Sequence, residues 1–165
     1  MILIVGGHPD YQDNPPEHDA RWVMNKSFDR DADLVFEMHR REKWCDRIEH
    51  LNGFDCPVIM QERFHEINTA EPYPLTEVAA MTGVNMSCSI AYMMAMAMLQ
   101  ADDMAVWGVP GNSEAYEYQV PTIAYLAGLA RARGLKVTFH PDSHLQRVIH
   151  PPKRYGYDGS AELFQ

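Results

Sequence analysis

The most constraining feature of the sequence is its segment 78–101, which contains no charged residue and is rich in methionine. Seven of the chain's 11 methionines lie between Met81 and Met104. Alanine and methionine favour helix, and a helix that is apolar on nearly every side needs neighbours all round. Segment 87–101 is therefore predicted to form a buried helix that leads into a strand at 104–109.

A membrane span is the alternative for a stretch of this length, since a bilayer needs about 20 predominantly apolar residues. Polar residues such as Thr82, Asn85 and Gln100 interrupt the run, and its apolar core at 90–99 is too short. The flexible methionine thioether fills irregular gaps in a core. The run is therefore interpreted as protein core rather than as a metal or cofactor box, and no membrane partner is expected.

Length and charge limit the remaining possibilities. A chain of 165 residues has the size of one ordinary domain, so a single domain over 1–165 is predicted, with 151–165 as a tail that wraps the surface. The formal charge of -9 would repel a phosphate backbone, which argues against binding of long duplex nucleic acid. A homo-oligomer is compatible with the sequence.

The cysteines and the N-terminus indicate a cytoplasmic protein. Cys45, Cys56 and Cys88 are odd in number and form no CxxC pair, which suits reduced thiols. The chain starts directly with an apolar, strand-like segment and lacks the basic region and cleavage site of a signal peptide.

Short apolar runs alternate with helical segments, which is typical of an α/β sheet with helices on its faces. Strands are predicted at 1–5, 21–25, 33–39, 56–60, 104–109 and 136–140. Helices are predicted at 40–51, 75–81, 87–101 and 121–133, with an irregular segment at 63–74. The predicted fold is a single Rossmann-like, three-layer α/β domain with a mostly parallel sheet. Continuous apolar runs suit strands that are covered on both faces, so 1–5 and 104–109 are expected to be adjacent and central.

Ligands of such folds bind at the carboxyl ends of the strands, where loops and helix N-termini gather. The first strand ends in Gly6, Gly7 and His8, and the glycines would let backbone N–H groups approach a phosphate or base. On this signal alone a tight turn is the preferred interpretation. Asn25 and His39 end the next two strands.

Two further segments carry candidate ligand contacts. Ser87, Cys88 and Ser89 stand at the positive end of the buried helix, where capping by the serines is the preferred interpretation. The loop after 104–109 concentrates hydrogen-bonding side chains, namely Glu114, Tyr116, Glu117, Tyr118 and Gln119. Its tyrosines could stack on a base or pack as a lid on the tail, and both alternatives remain open.

The eight histidines raise the question of a metal. His140, Asp142 and His144 could meet His8 across the sheet, but zinc needs three or four ligands in tetrahedral geometry and spacing alone does not establish that. No metal is predicted. Binding to backbone or solvent is the preferred state of each histidine, with His8 and His39 as exceptions because strand ends converge.

The ordered strand ends resemble a known family. The motifs are Ile-Val-Gly-Gly-His-Pro, Phe-Glu-Met-His, Ser-Cys-Ser-Ile-Ala-Tyr, Val-Trp-Gly-Val, Glu-Tyr-Gln and Pro-Asp-Ser-His-Leu. Together they resemble small uncharacterised proteins common in tailed phages and prophages, over most of the chain. The resemblance implies a phage protein in the cytoplasm of its host cell, but it implies no activity.

More distantly, the layout is similar to bacterial CMP-sialyltransferases of the Campylobacter type and to archaeal pterin pyrophosphokinase-like proteins. This similarity implies that Gly6, Gly7 and His8 lie near a nucleoside with Asn25 beside it, that Ser87 and Cys88 start the helix, and that Tyr116 or Tyr118 lies near phosphate. The chain departs from the phage proteins and from the sialyltransferases at 109–111, where Val-Pro-Gly replaces a motif with aspartate. No segment matches the catalytic histidine region of the sialyltransferases.

The sequence thus predicts a protein that binds a nucleotide or nucleotide sugar. One hypothesis is a nucleotide-dependent transferase, such as a glycosyltransferase, with His8 or His39 as acid or base and Glu114 as an orienting carboxylate. The other is a non-catalytic binder or phage accessory protein that sequesters a ligand or contacts a host factor. The candidate residues should line one cleft, and Asn25→Ala should weaken ligand binding with little change in melting temperature.

Overall fold

The computed structural model describes residues 1–26, 31–83, 86–112 and 114–149, leaving aside the side chains of 114–116 and 149. These residues form a seven-stranded, all-parallel sheet in the order β5-β4-β3-β2-β1-β6-β7. The strands are β1 (Ile2–Val5), β2 (Ala20–Met24), β3 (Leu34–Glu37), β4 (Val58–Met60), β5 (Ala70–Pro72), β6 (Asp103–Trp107) and β7 (Lys136–Phe139). The α-helices are α1 (Ile48–Asn52), α2 (Leu75–Thr82), α3 (Ser89–Ala97), α4 (Val120–Ala132) and α5 (His144–Ile149). The predicted Rossmann-like α/β class is confirmed, and the predicted tail 151–165 lies outside the described residues.

Strands β1 and β6 are neighbours in the interior of the sheet, as predicted. Ile2 pairs with Met104 and Val5 with Trp107, in parallel register. Alternate residues of β1 enter two separate cores: Ile2 and Ile4 pack on the side of α3, and Leu3 and Val5 pack on the opposite side. A strand covered on both faces has no polar side, which explains its uninterrupted apolar sequence.

The methionine-rich helix is buried as predicted, but it is shorter than 87–101. Met93 and Met94 of α3 are fully buried, and the helix packs on β1, β2 and β3. It ends at Ala97, and beyond Met98 the N–H groups of Leu99 and Gln100 bond three residues back rather than four. Within the described residues, no helix has the length and apolarity needed to cross a bilayer.

Two local predictions are wrong. Segment 40–51 forms two 3₁₀ turns, Arg41–Lys43 and Cys45–Arg47, before the short α1. The turns meet at Trp44, whose backbone leaves the helical region at φ −133° and whose fully buried indole meets the ring of Phe64 edge-on, with centroids 4.8 Å apart. The segment predicted as irregular contains β5, a three-residue edge strand that ends in Pro72. An edge strand tolerates a proline, and this one carries no β-branched residue that would have marked it.

Candidate functional site

Two adjoining cavities lie at the carboxyl ends of the central strands. β2 to β5 extend from β1 to one side and β6 and β7 to the other, so the order of strands reverses between β1 and β6. Open α/β sheets bind ligands at such a switch point. The apolar cavity, about 620 Å³, follows β1 and β6 and has aliphatic walls that include Ile90, Val109 and Ile123. The basic cavity, about 500 Å³, follows β2 and β3 and contains Lys43 and Arg47.

The two cavities share a wall, so together they form one cleft. The shared residues are Met24, Asn25, Lys26, Ile90 and Gln119. Asn25 and Lys26 follow β2, the strand that lies between β1 and β3. The end of β2 therefore connects a mainly aliphatic chamber with a charged one.

The predicted site residues with described side chains all line this cleft. Gly6, Gly7, His8 and Asn25 line the apolar cavity. Asn25 also lines the basic cavity, together with His39, Ser87, Cys88, Ser89 and Tyr118. His8 and His39 lie in different cavities, so they do not form one catalytic pair. The side chains of Glu114 and Tyr116 lie outside the described residues, and a role in ligand binding remains a prediction for every member of the set.

The two glycines after β1 differ in whether the surrounding structure has room for a side chain. A Cβ added to Gly6 would lie 2.3 Å from the carbonyl oxygen of Gly108, and a Cβ on Gly108, which has φ +69°, would lie 2.4 Å from that of Gly6. The turns after β1 and β6 therefore touch backbone to backbone. A Cβ on Gly7 would meet nothing within 4 Å. Close packing explains Gly6, whereas Gly7 borders open space in the apolar cavity.

A buried polar cluster supports the basic cavity. Its centre is Glu37 at the end of β3, whose side chain is fully buried. Glu37 Oε2 accepts a hydrogen bond from Arg47 Nη2 at 2.8 Å. Glu37 Oε1 lies 2.7 Å from His39 Nδ1 and accepts from the His39 backbone N–H at 3.0 Å and from Asn25 Nδ2 at 3.2 Å. A buried carboxylate needs such partners, because an unpaired charge away from water is costly.

Arg47 also explains why the 41–47 segment turns where a helix was predicted. Its guanidinium donates to the backbone carbonyls of Asn25 at 3.1 Å and Lys43 at 3.0 Å, besides the Glu37 carboxylate. One side chain thus ties the ends of β2 and β3 to the 3₁₀ turns. Neither Glu37 nor Arg47 was identified from sequence. An acidic residue in the middle of the apolar run Leu-Val-Phe-Glu-Met was the available signal for Glu37.

The burial of Asn25 changes the expectation that its alanine variant would keep the melting temperature of wild type. Asn25 is only 3% exposed, and its amide supports the buried Glu37. We expect Asn25→Ala to lower the free energy of unfolding by about 1–3 kcal/mol, because a buried carboxylate loses a donor. Urea denaturation measures the change. Asn112→Ala, at an exposed asparagine, is the control and should stay within about 0.5 kcal/mol of wild type. Equal midpoints for the two variants would show that the amide is not structural.

The start of α3 also differs from expectation. The N-cap is Cys88 in extended conformation, with φ −162° and ψ 166°, and no side chain caps the helix, so the predicted serine capping is wrong. Burial raises the pKa of the Cys88 thiol, although the Ile90 and Ala91 N–H groups and the Ser87 hydroxyl favour its ionised form. A thiol with a raised pKa is a poor nucleophile at neutral pH. Cys88 is therefore part of the cavity wall rather than a reactive group.

His140 belongs to a separate cluster of polar and aromatic side chains at the carboxyl end of β7. Its Nδ1 accepts from the Asp142 backbone N–H at 3.2 Å, so its Nε2 carries the proton and donates to Asp13 Oδ1 at 2.9 Å. This hydrogen bond holds the pKa of the Asp13 carboxyl below its usual range. The imidazole of His140 also contacts the rings of Tyr11 and Trp107 edge-on. Across the described residues, no three histidine, cysteine, aspartate or glutamate side chains are placed to hold a metal.

Comparison with known proteins supports the fold but does not assign a family. No family model and no curated protein matches the chain. Among solved structures, the sialyltransferase CstII from Campylobacter jejuni, in complex with the substrate analogue cytidine-5'-monophosphate, is similar with a TM-score of 0.57. The sequences are 14% identical, and the similarity covers 90% of this chain and 83% of that chain. The predicted similarity to Campylobacter-type sialyltransferases thus holds at the level of the fold, and phage origin stays a prediction.

Proposed function

We propose that this chain binds a nucleotide or nucleotide-linked metabolite across the cleft, with the nucleoside in the apolar cavity and its phosphate in the basic cavity. The observation that carries the proposal is the contrast between two connected chambers, one aliphatic and one cationic, at the switch point of a parallel sheet. A nucleotide has the matching division into a flat, weakly polar base with its sugar and a charged phosphate.

The apolar cavity suits a nucleoside in size and lining. Its volume of about 620 Å³ lies within the range of small-molecule sites, which are mostly apolar with few polar groups. Ile90, Val109 and Ile123 offer apolar contact, while Gln12 and Gln119 offer amide groups that can hydrogen-bond a base or sugar. The open space beside Gly7 lets the ligand approach the backbone.

The basic cavity suits a phosphate because it concentrates positive charge in an acidic protein. Lys26, Lys43 and Arg47 line it, although the chain as a whole carries a formal charge of -9. Arg47 already forms an ion pair with Glu37. The exposed lysines Lys26 and Lys43 are therefore the cations that can bind an anion. The N-terminus of α3 adds the positive end of a helix dipole, and Tyr118 adds a phenol. Similarity of the fold to a protein solved with cytidine-5'-monophosphate also supports the proposal.

Lys43→Met tests the phosphate half of the proposal. We expect this variant to bind cytidine-5'-monophosphate about tenfold more weakly, because a charge-assisted hydrogen bond is lost, and to bind cytidine like wild type. Isothermal titration calorimetry measures both affinities. Lys136→Met, at an exposed lysine of β7 outside the cleft, is the matched control and should bind both ligands normally.

Gly7→Val tests the nucleoside half. The added side chain enters open space, so the fold should be retained while cytidine and cytidine-5'-monophosphate both lose affinity. Gly128→Ala, where a Cβ also meets nothing within 4 Å, controls for the substitution of a glycine outside the cleft. If neither this nucleotide nor its uridine, adenosine and guanosine counterparts bind wild type, the non-catalytic accessory-protein hypothesis without a nucleotide ligand takes its place.

A further inference from the structure

We propose that Glu37 and His39 form a proton-accepting dyad in the basic cavity. His39 Nε2 takes the proton of a hydroxyl group that attacks a nucleotide-activated donor, and Glu37 is a positioning residue that acts through His39. This inference rests on the proposed nucleotide binding and adds to it a reaction class and the group that moves the proton.

The short contact between the two side chains locates a proton on the imidazole. His39 Nδ1 lies 2.7 Å from Glu37 Oε1, and an ionised carboxylate oxygen can only accept a hydrogen bond. Nδ1 therefore carries hydrogen, and in the neutral ring the lone pair is at Nε2. Asn25 Nδ2 lies 3.2 Å from the same oxygen and 2.8 Å from His39 Nδ1. The charged carboxylate at 2.7 Å is the stronger partner of Nδ1, so the imidazole hydrogen points to Glu37 and the amide donates to the carboxylate oxygen. The carboxylate thus selects one tautomer and fixes the plane of the ring.

Burial separates the roles of the two residues. Glu37 is fully buried and held through Oε2 by Arg47, so it cannot touch a ligand. The His39 side chain is 49% exposed and lines the basic cavity. Nε2 has no hydrogen-bond partner among the described residues. A base oriented by a buried carboxylate, with its free nitrogen on an open cavity, is the arrangement that general-base catalysis requires.

The same geometry favours His39 over His8. Among the described residues His8 pairs with Asp10, whose Oδ2 lies 4.0 Å from Nδ1, beyond hydrogen-bond distance, and whose side chain is 82% exposed. His8 meets Tyr11 edge-on and lies in the other cavity. Of the two histidines predicted as acid or base, only His39 has a buried partner that fixes its tautomer.

The step balances without a further reactant beyond a hydroxyl compound or water. The hydroxyl oxygen forms a bond to the transferred carbon, and the bond from that carbon to the nucleotide phosphate oxygen breaks. The bonding electron pair leaves with the phosphate, next to Lys26 and Lys43, and the hydroxyl proton goes to His39 Nε2. With water as the acceptor, the donor is hydrolysed and the free nucleotide is released.

The test uses the full chain and a panel of CMP-, UDP- and GDP-linked sugars, with release of free nucleotide as the readout. Wild type should release nucleotide from at least one donor that it binds. His39→Gln should slow this release about 100-fold and leave the affinity for the nucleotide product within threefold of wild type. His65→Gln is the matched control, because His65 also lies near a glutamate, 3.7 Å from Glu66, but is 96% exposed and outside the cleft.

The positioning role of Glu37 has its own readout in the free protein. Imidazole ¹H–¹⁵N correlation spectra should show hydrogen on His39 Nδ1 in wild type and a mixture of tautomers in Glu37→Gln. Release at the wild-type rate by His39→Gln, no release from any donor that binds, or hydrogen on Nε2 in wild-type spectra would each overturn the dyad. Nucleotide binding would survive all three results, whereas absence of nucleotide binding by calorimetry overturns the proposed function itself.

Discussion

Gly6→Ala is expected to abolish folding. The new methyl group would stand 2.3 Å from the carbonyl oxygen of Gly108 and 2.6 Å from the Val109 side chain, at the junction of the two central strands. Backbone on both sides is fixed by hydrogen bonds from Gly6 to Trp107 and from His8 to Gly108, so neither turn can move away alone. Such overpacking costs about 3 kcal/mol or more, a large part of the stability of a domain. Far-UV circular dichroism and the yield of monodisperse protein measure the result.

Gly7→Ala is the matched control for this variant. It adds the same methyl group one residue later, where nothing lies within 4 Å. We expect a melting temperature close to that of wild type. A folded Gly6→Ala protein of normal stability would mean that the turns after β1 and β6 do not touch as described.

Met94→Asp should likewise give no folded protein. Met94 is fully buried in α3 among apolar neighbours, and an aspartate there would place a charge or an unpaired carboxyl group in the core. Burial of such a group costs several kcal/mol, with no compensating partner in this core. Loss of soluble protein, or a chain without a cooperative thermal transition, is the expected measurement.

Met94→Leu separates the effect of charge from that of shape. Leucine has a similar volume and should cost less than about 1.5 kcal/mol. If the aspartate variant folded with a normal transition, α3 would have to be exposed to water. That outcome would contradict the interpretation of the methionine-rich run as core.

The sheet could be predicted because its signal is local. β1 and β6 are short, mainly apolar runs bounded by polar or turn residues, and β7 alternates polar and apolar residues. Their parallel pairing follows from the helices between them. β5 carries no such signal, since Ala-Glu-Pro has low strand propensity and pairs only because β4 offers an edge. The 3₁₀ turns at 41–47 depend on the burial of Trp44 and the bonds of Arg47, which local periodicity does not contain.

The cleft was predictable in position but not in chemistry. Parallel strands place their carboxyl ends at one edge, so Gly7, Asn25 and His39 could be expected to converge from their positions alone. The pairing of Glu37 with Arg47 joins residues on different elements, so the local sequence around either residue does not predict it. The same holds for Lys26 and Lys43, which form a cationic surface only after β2 and the 3₁₀ turns come together.

The order of the strands determines when this cleft can exist during synthesis. β1 pairs on one side with β2, which follows it closely, and on the other with β6, so that residue 2 meets residue 104. A ribosome emits β1 to β5 first, and these strands can assemble while the far edge of β1 still has no partner. The turn at Gly108 and the start of α4, which complete the apolar cavity, are synthesised only after β6. Until then a nascent chain exposes an apolar strand edge, which makes this interval its most aggregation-prone stage and a natural point for chaperone contact.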